Sequence, residues 1–171
     1  MSKPIYDELK DTGNELQQVL SSFKQEDINK VPFAGSWTAG QVAEHVLKSA
    51  GGVLANVKSD VQPTERNPEE HVKMLKDAFL NFEIKMKSPD FILPGDEPKD
   101  KNELMDSLSH TIKSLEQAAR TEDLSATCTA FEMPTVGALT RIEWLSFANV
   151  HTLRHIHQLK NIKQAIDQYK N

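Results

Sequence analysis

The stretch TRIEWLSFANVHTLRHIHQLKN, residues 140–161, holds three of the chain's six histidines within seven positions. Thr140 followed by Glu143 spells a capping box, and the apolar residues behind it recur at helical spacing. A helix is therefore predicted from Thr140 to at least Asn161, with a further helical stretch reaching Tyr169. Residues four apart on a helix differ by about 40° and rise about 6 Å, so His151 and His155 project side by side and can share one ion. Trp144, Phe147, Ala148 and Gln158 lie on the same face. Glu143, Arg154, His157 and Asn161 fall on a more polar side, which sets His157 apart from the pair.

Working outward, SWTAGQVAEHVLKSAGGVL, residues 36–54, has the clearest helix start in the chain. Thr38 is the expected N-cap, Gln41 its capping-box partner, and Trp37 and Val42 a hydrophobic staple. His45 lies on the inward stripe of that helix with Val42, Val46, Ser49 and Val53, where an imidazole needs a partner. If this helix packs against the C-terminal one, three imidazoles converge near one end of a bundle and leave a coordination position open. Taken singly, an H-x-x-x-H pair is often solvated, and an inward histidine is more often bonded to a backbone carbonyl. Together they leave several buried ring nitrogens to satisfy.

The remaining segments complete an all-α pattern. Tyr6, Leu9, Leu16, Leu20 and Phe23 predict one helix from about Pro4 to Asp27, with Gly13 as its weak point. RNPEEHVKMLKDAFLNFEIKM, residues 66–86, predicts a helix capped by Asn67, opened by Pro68 and striped by Val72, Leu75, Phe79, Phe82 and Met86. SPDFILPGDEP, residues 88–98, breaks the pattern with three prolines and a glycine. From Lys99 a further helix turns Leu104, Leu108, Ile112 and Leu115 inward and fades by Arg120. LSATCTAFEMPTVGA, residues 124–138, is expected as an extended connection or short strand. Four or five amphipathic helices with minor extra helical or extended segments give a helical bundle, read as one domain over residues 1–171.

Composition narrows the function. A net charge of -5 and a pI near 5.7 argue against nucleic acid as a partner. The N-terminal MSKPIYDELKD has charges where a signal peptide needs an apolar core, and no apolar run is long enough for a bilayer, so a cytoplasmic, membrane-free protein is expected. Cys128 is the single cysteine. Any bound metal must then be held by nitrogen and oxygen. No recognisable helix-terminal or basic setting marks Cys128 as a nucleophile. His71 borders an apolar stripe, His110 sits among polar residues, and neither is expected to act directly. No Gly-rich phosphate loop, nucleophile elbow or paired-carboxylate signature is present. Glu44 adjoins His45 too closely to share its direction, so no general base is evident.

Two stretches resemble the DinB/YfiT-like superfamily of metal-dependent enzymes. SWTAGQVAEHVLKSAGG is similar to that family's W-[ST]-x-x-[EQ]-x-x-x-H helix start, and RIEWLSFANVHTLRHIHQL to its terminal W…H-x-x-x-H-x-x-Q helix. The resemblance implies a four-helix bundle in which His45, His151 and His155 bind a divalent transition metal, zinc or nickel. It also implies a small-molecule substrate, since better-understood relatives transfer or isomerise with bacillithiol, mycothiol or glutathione. The leading expectation is a thiol-dependent S-transferase. A hydrolase using metal-activated hydroxide and a non-catalytic bundle that binds a ligand or partner are the alternatives. Gln158 is expected to bond a ligand, orient the histidine pair, or seal the bundle end. Arg154 is expected either to anchor an anionic thiol or carboxylate or to form a surface ion pair. A homodimer through an apolar helix face is compatible with the pattern.

Overall fold

The computed structural model describes residues 2–171. Five α-helices follow in order: α1 Ile5–Ser21, α2 Ala39–Val57, α3 Val72–Phe79, α4 Lys101–Thr121 and α5 Arg141–Tyr169. Short 3-10 turns occupy Asp27–Asn29 and Asp90–Ile92. The four long helices form a bundle in the cyclic order α1, α4, α2, α5, each packed on two neighbours, while α3 lies against α5. The extended 124–138 connection contributes β2, Thr127–Cys128, which pairs antiparallel with β1, Val61–Gln62. Among the described residues, no helix is long and apolar enough to cross a membrane.

The pairing that positions the site is α2 on α5. The Arg141 Nε–H donates to the Val57 carbonyl at 2.8 Å, which joins the C-terminal end of α2 to the N-terminal end of α5. Their antiparallel course then brings the level of His45 to that of His151. Apolar residues fill the layers on either side. Ala50, Val53, Trp144 and Ala148 belong to one buried cluster, and Val42, Val46, Ile156 and Leu159 to the other.

Three expectations need correction. The first helix, predicted to Asp27, ends at Ser21, and Asp27–Asn29 form a separate 3-10 turn. The helix predicted over residues 66–86 is helical only from Val72 to Phe79, and Phe82 and Met86 are exposed in the following loop. Asn67 does accept from the Glu69 N–H at 3.0 Å, but this closes a turn ahead of the helix. Past Phe79 the chain leaves the helix and the carbonyls of Phe79, Asn81 and Ile84 accept from Arg154. Glu143, expected on a polar face, is fully buried. It accepts both Arg66 Nη groups at 2.7 and 2.6 Å, the His71 N–H at 2.8 Å and the Thr140 N–H at 2.9 Å. Those four donors supply what a buried carboxylate needs.

α1 runs unbroken through Gly13. This glycine is the point where α1 meets α4, for a Cβ built there would stand 2.8 Å from Ile112 Cγ2. On α2, a Cβ added to the exposed Gly52 would meet nothing within 4 Å. Gly13→Ala should therefore destabilise by about 1–3 kcal/mol through overpacking, whereas Gly52→Ala should stabilise by up to about 1 kcal/mol. Chemical denaturation checks the pair, and a stabilising Gly13→Ala would contradict the close contact.

Candidate metal centre

Capping sets the phase of both helices that carry the histidines. At the start of α2, Thr38 Oγ1 accepts from the Gln41 N–H at 3.1 Å and Gln41 Oε1 accepts from the Thr38 N–H at 3.0 Å. At the start of α5, Thr140 Oγ1 accepts from the Glu143 N–H at 3.3 Å, and Glu143 returns the bond. These caps define helix starts, and the face of each histidine follows from its count beyond them.

Three imidazoles meet between the helices. His45 Nε2 stands 3.1 Å from His151 Nε2, and His155 Nε2 stands 3.2 Å from the same atom. One ligand atom from each of the three lies within 4.8 Å of the others. Their other nitrogens decide what these contacts mean. His45 Nδ1 is 2.9 Å from the Ile92 carbonyl oxygen, which can only accept, so Nδ1 carries the proton and Nε2 a lone pair. His155 Nδ1 is 2.8 Å from Gln158 Oε1, with the same consequence for its Nε2. Neutral His151 can place one hydrogen at most on its own Nε2. At least one of the two short contacts therefore sets lone pair against lone pair, an arrangement a cation converts from repulsion to attraction. Tetrahedral coordination at about 2.0–2.1 Å separates ligand nitrogens by about 3.3 Å. The three histidines are thus close enough to hold a metal, and their donor chemistry suits one.

The surroundings keep these rings neutral. Burial pushes His151 well below the ordinary histidine value, and the adjoining His155, His45 and Arg154 act in the same direction. His155 is lowered to about 4, first by burial and then by His45 and Arg154, against the Gln158 hydrogen bond. His45 is lowered by burial, helped by Lys48 and opposed by the Ile92 bond. Neutral imidazole is the form that ligates metal. Trp37 lies 5.1 Å from the His45 ring, and Phe147 lies 5.3 Å from His151, centroid to centroid.

Among the described residues, no carboxylate joins the cluster. Glu44 bonds Lys99 at 2.5 Å, Lys48 at 3.1 Å and the Gly95 N–H at 3.1 Å. Burial would raise its pKa, but Lys99, Lys48 and Gly95 together hold it below the usual value. Gln158 lies against His155, as described. Arg154 forms no surface ion pair among the described residues; its guanidinium is engaged by loop carbonyls. His157 is exposed and stacks on Phe82, with ring centroids 4.0 Å apart. His110 is exposed, and His71 contributes its backbone N–H to Glu143. Cys128 is buried, and burial raises its thiol to about 11, far from a ready thiolate.

Two contributors are absent from the motif reading: the Ile92 carbonyl, and Ser88, whose Oγ is 3.5 Å from His45 Nδ1. Both lie in a loop that the expected helix over residues 66–86 had shortened. The connection from Leu80 to Asp100 exceeds the usual span of an unstructured link, and such loops are often functional. Gln41, Glu44 and Lys48 all bond its 93–96 segment, so α2 fixes the loop whose Ile92 carbonyl orients His45.

The DinB superfamily model matches residues 8–159, a span that includes α2, the loop and all three clustered histidines. The chain belongs to the DinB superfamily. Uncharacterized protein YuaE from Bacillus subtilis (strain 168) is similar to it, with 25% identity over 166 residues, covering 92% of this chain and 93% of YuaE. No solved structure matches.

Two outcomes are expected. In metal-free protein, folded imidazoles with depressed pKa bind fewer protons than unfolded ones, whose pKa is about 6.5. Stability should be fully present above that value and fall as pH drops toward the folded value of about 4 for His155. Denaturation midpoints from pH 8 to 5 check this, and a midpoint that rises on acidification contradicts it. Arg154→Ala should release the Phe79, Asn81 and Ile84 carbonyls, speeding amide exchange and proteolysis in residues 80–87. Unchanged protection there would show that Arg154 does not hold the loop.

Proposed function

We propose that this protein is a divalent-metal enzyme of the thiol-dependent transferase type, with His45, His151 and His155 as the metal ligands. The observation that supports this most is the trio of Nε2 atoms, two of them bare because Nδ1 is bonded to the Ile92 carbonyl and to Gln158. A divalent ion held by three neutral imidazoles keeps its charge and lowers the pKa of a bound thiol or water. Zinc and nickel both suit imidazole donors. The Ile92 carbonyl and Gln158 fix ring tautomer and orientation.

The rest of the site favours a thiol over water. A hydrolase ordinarily needs a group to carry protons between nucleophile and leaving group. Glu44 is tied to Lys99, Lys48 and Gly95, and Glu143 to Arg66, which leaves neither carboxylate free for that work. A low-molecular-weight thiol, with an ordinary pKa of about 8.5, needs only a small downward shift to act as thiolate at neutral pH. The aromatic rings around the histidines suit an uncharged electrophile.

Metal analysis of wild type and single variants should give about one ion per chain, lost in His45→Ala, His151→Ala and His155→Ala and kept in His110→Ala and His157→Ala. The loaded protein should then conjugate bacillithiol or glutathione to 1-chloro-2,4-dinitrobenzene in a metal-dependent reaction. Metal-dependent turnover of 4-nitrophenyl acetate without thiol conjugation would favour the hydrolase. Failure to bind metal would favour a non-catalytic bundle.

A further inference from the structure

An unbroken series of aromatic contacts joins the solvent to the clustered histidines. Phe91 and Phe131 are 67% and 42% exposed, yet they meet edge to face at 5.8 Å from two separate loops. Phe131 is 5.9 Å from Trp144, Trp144 is 5.8 Å from Phe147, and Phe147 is 5.3 Å from His151. Phe79 closes the inner end, 5.2 Å from Phe147 and 6.0 Å from His151. Trp144 and His151 are two turns apart on α5, so the wall extends about 10 Å along that helix. Its outer end returns to the site as well, because Phe91 precedes Ile92, whose carbonyl holds His45.

Sealing the core alone would not require two phenyl rings in solvent. An exposed aromatic pair continuous with a buried one offers ring faces to an incoming flat, apolar group. A second observation points to the same occupant. Trp144 is only 4% exposed, and its indole N–H has no acceptor among the described residues although it lies within this aromatic series. A buried donor left unpaired costs free energy, and a ligand oxygen can recover it. The five rings present apolar faces, which suit a flat apolar group.

We propose that Phe91, Phe131, Trp144, Phe147 and Phe79 form the subsite for the substrate's apolar part, an uncharged aromatic group with a carbonyl or ether oxygen that accepts from Trp144. The inference rests on the reading of the histidine cluster as a metal centre that takes a thiol. Phe91 and Phe131 form its mouth and select for a ring; Trp144 selects for the acceptor.

Cobalt(II)-loaded protein tests it, since thiolate bound to cobalt gives a charge-transfer absorption. Wild type should bind 5-phenylpentane-1-thiol, whose chain spans the distance from the histidines to Trp144, at least about tenfold more tightly than pentane-1-thiol, a modest gain for a buried ring. Phe91→Ala and Phe131→Ala should each remove most of that preference. Tyr169→Ala, about 21 Å along α5 from His155, should keep it. Acetophenone should bind wild type more tightly than ethylbenzene by calorimetry, and the difference should vanish in Trp144→Phe. Absence of a phenyl preference in wild type, or its survival in both phenylalanine variants, overturns the subsite. If cobalt or thiol fails to bind, the metal reading falls by itself. Tryptophan quenching by the same thiols in metal-free protein then decides the subsite, and equal quenching by the two simple thiols overturns it.

Discussion

Two hydrogen bonds at Nδ1 govern what the centre can be. The Ile92 carbonyl and Gln158 Oε1 each accept from an imidazole and leave its Nε2 bare. Without them, the three rings could share protons in many arrangements. With them, two lone pairs face a third nitrogen across 3.1 and 3.2 Å between α2 and α5. Most other features of the site serve that arrangement. The antiparallel packing of α2 on α5 sets the histidines level, and burial keeps them neutral. Gln41, Glu44 and Lys48 hold the loop that delivers the Ile92 carbonyl.

α5 divides its labour by face. His151 and His155 turn into the bundle, while Arg154 and His157 turn to the 79–84 segment that passes over the helix. One helix thus places candidate ligands and also anchors one side of the cover above them. α2 does the same on the other side, with His45 directed inward and Lys48 bonded to the Leu93 carbonyl. The cover is consequently fixed at both ends to the helices that supply the histidines. Between those anchors lie residues 85–91, including exposed Met86 and Phe91.

The bundle was legible because its signals are local. The capping boxes at Thr38 and Thr140, the stripe of Leu108, Ile112 and Leu115, and the i, i+4 histidine pair all depend on helical geometry. What escaped the sequence depends on partners distant along the chain. Glu143 reads as a polar-face residue until Arg66, 77 positions away, meets it. Phe82 and Met86 continue an apolar stripe, but they lie in a loop whose carbonyls meet Arg154, 70 or more positions on. The Ile92 carbonyl has no side-chain signature, so no residue pattern could announce it. Gly13 reads as a breaker because Ile112, which needs its bare Cα, lies 99 positions on.

In the proposed centre three Nε2 atoms converge on one ion while two Nδ1 atoms keep their hydrogens. NMR of 15N-histidine-labelled protein loaded with 113Cd reads both parts directly. One-bond cadmium–nitrogen coupling should appear at Nε2 of His45, His151 and His155 and at no other imidazole, with protonated Nδ1 on His45 and His155. Coupling through Nδ1 of either residue, or to fewer than three of these rings, would contradict the account.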